Sequence, residues 1–289
     1  MTSRRRSTVL VTGASGFLGR RLLTRLGEEH DVIAISRSAV SGPVRSYRGS
    51  FGSLDDLKQL DGHDIDVLVH LASEIGGATE EAALSVNLLG TRRLLRYLGE
   101  RGCRRFVLAS SIAAAGCLDP GFVPLELPIG DRHPCLAVDA YGLSKYLAEQ
   151  LADYFSRLFP DRAFVSLRIG SIADKPGNED RWCSVVAPSY RPFVLLGQVA
   201  ADDVVDGIAT IVGAPGRSGA RVYNLVAPDV RSRDAVADVL RAKLGERAAR
   251  LDVSPYEVIG RHSPPVYAMT ALRDDCGFVP TRRLASVDR

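Results

Sequence analysis

A strand, three glycines and a helix fill the first thirty residues, and no other stretch limits the fold so strongly. The run STVLVTG at 7–13 is apolar and β-branched, as a strand buried on both faces is. In VTGASGFLG the glycines stand at 13, 16 and 19. Behind them Phe17, Leu18, Leu22, Leu23 and Leu26 recur at helical spacing, and Gly27 is a natural stop. A glycine triplet alone says little, but between a strand and a helix each glycine has a task. Gly13 permits the tight turn, Gly16 lets backbone approach a pyrophosphate, and Gly19 lets helix and strand pack closely. A diphosphate there meets the unpaired N–H groups of the helix N-terminus. The expectation is a bound dinucleotide.

Strand and helix then alternate. Strands are expected at 31–37, 66–73, 104–111 and 163–171, and helices at 80–102 and 140–159, the latter ended by Pro160. FVLLGQVAADDVVDGIATIVG reads as a strand followed by a helix, RVYNLVAP as a strand, and 231–247 as a helix; the last forty residues look irregular. The alternation predicts an α/β fold, a Rossmann-type doubly wound parallel sheet with a small C-terminal substrate-binding domain. The expected division is a dinucleotide-binding domain over 1–170, a proline-rich substrate-binding insert over 171–196, a return to the first domain over 197–227, and a small C-terminal substrate-binding region over 228–289.

Composition narrows the function. The chain has 289 residues, 46% of them hydrophobic, with a net charge of +3. That mild balance argues against a nucleic-acid partner, which needs a concentrated basic face. Arg4, Arg5 and Arg6 read as a solvated tail. None of the five cysteines forms a C-x-x-C pair, so neither a disulfide framework nor a metal site is expected. No apolar run approaches the ~18 residues of a membrane span. A cytoplasmic protein with a small-molecule substrate is the expectation, with no membrane or nucleic-acid partner.

The fingerprint spacing, T-G-x-x-G-x-x-G from Thr12 to Gly19, resembles that of the extended short-chain dehydrogenase/reductase superfamily, the NAD-dependent epimerase/dehydratase branch. The resemblance continues to about residue 170. HLAS at 70–73 is similar to a motif lying along the cofactor, NLLGTRRLL to a helix whose asparagine, here Asn87, supports the active site, and FVLASSIAAAG to the strand end bearing the catalytic serine. That register implies Ser111, with Ser110 the alternative. YGLSK supplies Tyr141 and Lys145. The implied cofactor contacts are Gly13, Ser15, Gly16, Phe17, Leu18, Gly19, Leu71, Ala72, Ser73, Asn87, Tyr141 and Lys145. One departure is that Gly49-Ser50 stands where the family often has Gly-Asp near the adenine.

The end of the second strand selects the cofactor. An acidic residue about 20 positions beyond the fingerprint's start would bind the ribose hydroxyls of NAD. This strand ends Ile35-Ser36-Arg37-Ser38, without a carboxylate. Arg37 can pair with a 2′-phosphate and the serines can donate to it, so NADP(H) is expected.

The chemistry explains the catalytic set. Hydride transfer between a nicotinamide and a carbonyl carbon needs a proton delivered to, or removed from, the oxygen. A tyrosine with its pKa near 10 is a poor base, and the Lys145 ammonium one helical turn away would favour the phenolate while also binding the nicotinamide ribose. Ser111 would hydrogen-bond the substrate oxygen. The only lysines are Lys58, Lys145, Lys175 and Lys243, against 37 basic residues in all, so one at this position carries weight.

Relatives of this branch reduce, epimerise, dehydrate or only sense the cofactor. Dehydratases carry an acidic pair after the catalytic serine or threonine, and Cys/His double epimerases carry a cysteine there; Ile112 and Ala113 fit neither. The expectation is an NADP(H)-dependent oxidoreductase (a ketoreductase or alcohol dehydrogenase) acting on a small polar carbonyl or secondary alcohol. The alternatives are an NAD(P)-dependent epimerase of a sugar or nucleotide sugar, and a silent cofactor sensor. YGLSK with LRIGSI is similar to uronate dehydrogenases of the branch, although Arg37 opposes the NAD preference expected there. Ser171, Arg181 and Trp182 are the candidate substrate contacts beside Ser111. His133, Cys135 and Cys117 read as loop or packing residues, and His70 as packed in its strand. Dimerisation through two helices is frequent in the family and leaves a homodimer open.

Overall fold

The computed structural model describes residues 6–42, 44–75, 79–175, 182–186, 191–258 and 263–284. The strands are β1 (Thr8–Thr12), β2 (Asp31–Ser36), β3 (Arg45–Arg48), β4 (Val67–His70), β5 (Arg105–Ser111), β6 (Ala163–Ile169), β7 (Ser171–Ile172), β8 (Gln198–Val199) and β9 (Gly219–Leu225). The α-helices are α1 (Phe17–Gly27), α2 (Leu54–Leu57), α3 (Glu80–Ala83), α4 (Thr91–Glu100), α5 (Ala140–Leu158), α6 (Pro192–Leu195), α7 (Ala201–Gly213), α8 (Val236–Leu244) and α9 (Thr270–Cys276).

Seven strands pair in the order β3-β2-β1-β4-β5-β6-β9, and β7 pairs with β8 apart from them. β1 is parallel to both neighbours, with Val9 opposite Val32 on β2 and Val67 on β4. Both faces of such a strand are covered, which is why VLVT is buried throughout. β3, at the edge, exposes Arg45, Ser46 and Arg48. The order reverses between β1 and β4, the switch point at which doubly wound sheets bind nucleotides beyond the strand carboxyl ends. The expected Rossmann-type fold is the one observed. No described helix is long and apolar enough to cross a membrane.

The chain divides into two compact units, Met1–Ser110 with Leu147–Leu167 and Ile208–Arg221, and Ser111–Tyr146 with Arg168–Gly207 and Val222–Arg289. Each has its own core. In the first, Leu10, Ile33, Leu68, Leu94, Phe106, Phe155 and Phe164 pack together, with the Phe106 and Phe164 rings stacked at 4.5 Å. In the second, Ile112, Phe122, Phe193, Val236, Leu240, Tyr256 and Tyr267 do so. A clasp closes the second unit. Asp203 is 1% exposed and accepts bonds from the amides of Thr281 (3.3 Å) and Arg282 (2.9 Å) and from the Arg282 guanidinium (2.7 Å).

Four expectations about local structure change. FVLL at 193–196 lies largely in helix α6, not in a strand; only Gln198–Val199 is extended. Periodicity cannot separate a short apolar run into helix or strand, and Pro192 at the first helical position was the usable signal. The stretch 80–102 is not one regular α-helix, because Leu84–Gly90 forms a π-helical segment. The helix expected over 231–247 is Val236–Leu244, followed by a 3-10 turn over Gly245–Arg250, and the tail is not wholly irregular, since α9 lies in it.

Candidate active site

The first unit carries the glycine turn. Gly13 has φ +71°, a left-handed conformation that glycine adopts without strain, and a Cβ there would stand 2.6 Å from the Ala72 amide nitrogen. A Cβ at Gly19 would collide with the Gly13 carbonyl. The turn is thus closed to side chains and pressed against the Leu71–Ala72 backbone. Thr12 ties the two together. Its hydroxyl lies 2.6 Å from His70 Nδ1 and accepts the Ala72 amide at 3.3 Å, while His70 Nε2 lies 2.9 Å from the Thr91 hydroxyl. His70 is therefore a buried strut between two threonines.

Helix α1 opens at Gly16 with no side-chain cap and no acidic residue in its first turn. Its leading amides, those of Phe17 and Leu18 among them, have no partner within the helix. An uncapped N-terminus behind a turn closed to side chains fits the diphosphate of a dinucleotide. Beyond β2, Ser36 Oγ sits 3.2 Å from Ser15 Oγ and accepts the Ser38 amide at 3.3 Å. Arg37 is exposed and, among the described residues, has no hydrogen-bond or ion-pair partner.

Asn87 lies in the π-helical segment, a backbone form found mostly as short insertions within α-helices and frequent at functional sites. Its Oδ1 accepts the Glu74 amide at 2.7 Å and its Nδ2 donates to the Glu74 carbonyl at 2.8 Å. Both ends of the amide thus hold the segment that carries Leu71, Ala72 and Ser73.

Ser111, Tyr141 and Lys145 all fall in the second unit. Ser111 ends β5 and caps a 3-10 turn, its hydroxyl accepting the Ala113 amide at 3.2 Å. The same side chain lies near enough to the Tyr141 phenol to act on its pKa. Ser110 faces the other way, as alternation along a strand requires, and donates to the buried Glu149 at 2.5 Å. Of the two serines the sequence left open, Ser111 is the one at the tyrosine. Asp139 accepts the Gly142 amide at 2.8 Å and so starts α5. Lys145, 6% exposed, places Nζ 5.5 Å from the Tyr141 ring centroid. Burial pushes the Tyr141 phenol up, the Ser111 hydrogen bond pulls it down, and the Asp139 and Cys117 charges push it up again. The lowering expected from Lys145 is not among the causes acting on this phenol, which is raised, chiefly by burial.

The remaining candidates separate. Ser171 lies on β7, its amide bonded to the Gly197 carbonyl at 3.0 Å. Arg181 lies outside the described residues. Trp182 stands against Arg231 and Arg233, two residues that sequence reasoning passed over; the available signal was R-S-R, two arginines one apart. His133 is structural. Nε2 accepts the Leu125 amide at 3.0 Å, so Nδ1 holds the proton, 2.9 Å from the Pro134 carbonyl, and burial pushes its pKa down. Cys117 packs in the core, its thiol pushed up to about 12 by burial. Among the described residues no group of three or more His, Cys, Asp or Glu side chains is placed to hold a metal ion.

Strand order and glycine turn together define a Rossmann-type protein of the short-chain dehydrogenase/reductase superfamily. The chain belongs to the NAD dependent epimerase/dehydratase family, whose model matches residues 9–181. Among curated proteins it is similar to a UDP-glucose 4-epimerase of Streptococcus mutans, 27% identical over 57% of this chain and 52% of that one. The chain thus spans about half the length of that relative. Among solved structures it is similar to a short-chain dehydrogenase/reductase superfamily protein from Agrobacterium tumefaciens with bound NAD, at a TM-score of 0.70 and 23% identity, covering 96% of this chain and 93% of that one. It is also similar to the uronate dehydrogenase of Agrobacterium tumefaciens, at a TM-score of 0.63 and 25% identity, covering 78% and 79%.

Proposed function

We propose that this chain is an NADP(H)-dependent oxidoreductase that acts by hydride transfer on a small polar carbonyl or secondary alcohol in the cytoplasm. The observation that carries the reading is the placement of Tyr141 with Lys145 Nζ 5.5 Å from its ring centroid and with Ser111 near enough to act on the phenol. The turn at Gly13, Gly16 and Gly19 and the amides of Phe17 and Leu18 would hold the diphosphate, and Arg37 with Ser15, Ser36 and Ser38 the 2′-phosphate. The nicotinamide would supply or accept the hydride. Ser111 orients the substrate oxygen by hydrogen bonding. Tyr141 gives its hydroxyl proton to that oxygen in reduction and takes it back in oxidation. The raised phenol keeps that proton at neutral pH, which suits the donating direction. Lys145 places positive charge beside the phenolate left behind.

The likeness to a UDP-glucose 4-epimerase supports a second reading, an epimerase that returns the hydride to the same substrate. A panel of hydroxy acids, sugars and uronates incubated with NADP+ or NADPH and followed at the nicotinamide absorbance separates the two. Net change in absorbance supports the oxidoreductase. Substrate interconversion without net change supports the epimerase, and cofactor binding without turnover on any compound leaves a sensor.

A further inference from the structure

Helix α5 begins at a carboxylate. Asp139 stands just ahead of Ala140, and its Oδ1 accepts the Gly142 amide at 2.8 Å. That bond is an ordinary helix cap, which a serine or an asparagine makes as well. The second oxygen is what a cap does not need. Oδ2 is buried and has no hydrogen-bond partner. It lies 3.0 Å from where a Cβ on Gly142 would stand, and the Ala113 carbonyl lies 2.5 Å from the same point. Ala113 in turn donates its amide to the Ser111 hydroxyl at 3.2 Å. The spare oxygen is therefore wedged where the first turn of α5, which bears Tyr141, meets the turn that Ser111 begins. Asp139, Ser111, Tyr141 and Gly142 all belong to the second unit.

A carboxylate held there acts on its neighbours by charge. Away from water, the field of an unpaired anion is weakly screened. The groups that face Tyr141 are Ser111 and Cys117 from the stretch after β5, and Asp139 and Lys145 from its own helix. Burial lifts the Cys117 thiol to about 12, so it is neutral in the working range of pH. Tyr267 beside it is raised well above its ordinary value and is neutral too, and the Arg191 charge reaches Cys117. Asp139 is then the anion left among the groups that act on the phenol, and a phenolate beside an anion is disfavoured.

We propose that Asp139 is a positioning residue that acts through Tyr141: its unpaired carboxylate oxygen holds the proton on the phenol and so sets the pH at which the site can take a proton from an alcohol. The use of that proton in catalysis rests on the oxidoreductase reading; the hold on the phenol does not. In oxidation the phenolate accepts the hydroxyl proton as the hydride leaves for the nicotinamide. The oxidising rate should therefore rise with pH where Tyr141 ionises, and the reducing rate should fall there.

The test reads the phenol directly. Tyrosine isotope-labelled at Cζ is built into the full chain, and the Tyr141 magnetic-resonance signal is identified by its loss in Tyr141→Phe. The pH is then raised with and without NADP+. Asp139→Asn and Asp139→Ser keep an acceptor for the Gly142 amide and remove the charge. Both should ionise Tyr141 at a pH lower by ~0.5 units or more, about a threefold rise in phenolate at a given pH below the midpoint. Their melting temperatures should stay near that of the unaltered protein, whereas Asp139→Ala, which also loses the cap, should melt earlier. An unmoved midpoint in the Asn and Ser variants, or no ionisation of Tyr141 in either before alkaline unfolding, makes Asp139 a helix cap alone and overturns the proposal. Earlier ionisation without hydride transfer to or from any compound overturns the oxidoreductase reading and leaves the hold on the phenol standing. Turnover with an unmoved phenol does the reverse.

Discussion

Gly142 lies against the carbonyl of Ala113, so close that a Cβ at 142 would stand 2.5 Å from that oxygen. The residue after Tyr141 is thus the point at which the first turn of α5 meets the turn begun by Ser111, and there is no room for a side chain there.

Gly142→Ala is expected to destabilise the protein by about 1–3 kcal/mol, the usual cost of overpacking, despite a helix-propensity gain of up to ~1 kcal/mol. Gly27, at the end of α1, has nothing within 4 Å of its imagined Cβ, so Gly27→Ala should be neutral or stabilising. Urea melts of both variants check the contrast. Equal effects would mean that the contact at Ala113 is not tight in solution.

Tyr141→Phe removes a hydroxyl and almost no volume. It should lower turnover by ~10²–10⁴ with cofactor affinity nearly unchanged, whereas Lys145→Ala should reduce both. Steady-state kinetics beside a cofactor titration give the split. A Phe variant keeping more than about a tenth of the activity would remove Tyr141 from the proton path.

Cofactor choice hangs on Arg37. A charge-assisted hydrogen bond contributes ~1.5–3 kcal/mol, so NADPH should bind roughly 10- to 150-fold more tightly than NADH. Arg37→Asp should reverse the order. Calorimetry with both cofactors decides it, and equal affinities in the unaltered protein would sink the NADP(H) assignment.

Asp131 gives a pH dependence. Burial raises its carboxyl to about 6, against the bond from the Asn224 amide and the charge of Arg168, which both lower it. A raised folded-state pKa means that the native protein holds this proton more tightly than the unfolded chain. The associated stability is full below the ordinary value of 3.8 and is lost as pH rises through about 6. Asp131→Asn keeps an acceptor for the Asn224 amide and removes the charge. It should gain about 1–2 kcal/mol at pH 7–8, a figure discounted for the partial solvent contact of the carboxyl, and flatten the stability profile between about pH 4 and 6. Thermal melts across that range read both effects, and a variant less stable at pH 8 would contradict the burial account.

The parts legible in the sequence were those governed by sterics and by a single period. Gly13 and Gly19 announced themselves because no other residue fits their contacts, and Tyr141 with Lys145 because four residues make one helical turn. The choice between Ser110 and Ser111 was not legible. Both end the same strand, and only the position of Glu149 on α5 shows which face each serves. The π-helical segment around Asn87 was hidden because its apolar spacing continues that of the helix around it. The gathering of Arg231 and Arg233 at Trp182 joins positions some fifty residues apart, beyond the reach of any local pattern.

The clasp on Asp203 bears on how the second unit is made. Its carboxylate is almost wholly withdrawn from water, and its amide and guanidinium partners lie 78 and 79 residues further along the chain. During translation, α7 is therefore synthesised long before the groups that neutralise it. The native arrangement around Asp203 can close only once Arg282 has left the ribosome, so the carboxylate on α7 waits for a partner made some eighty residues later.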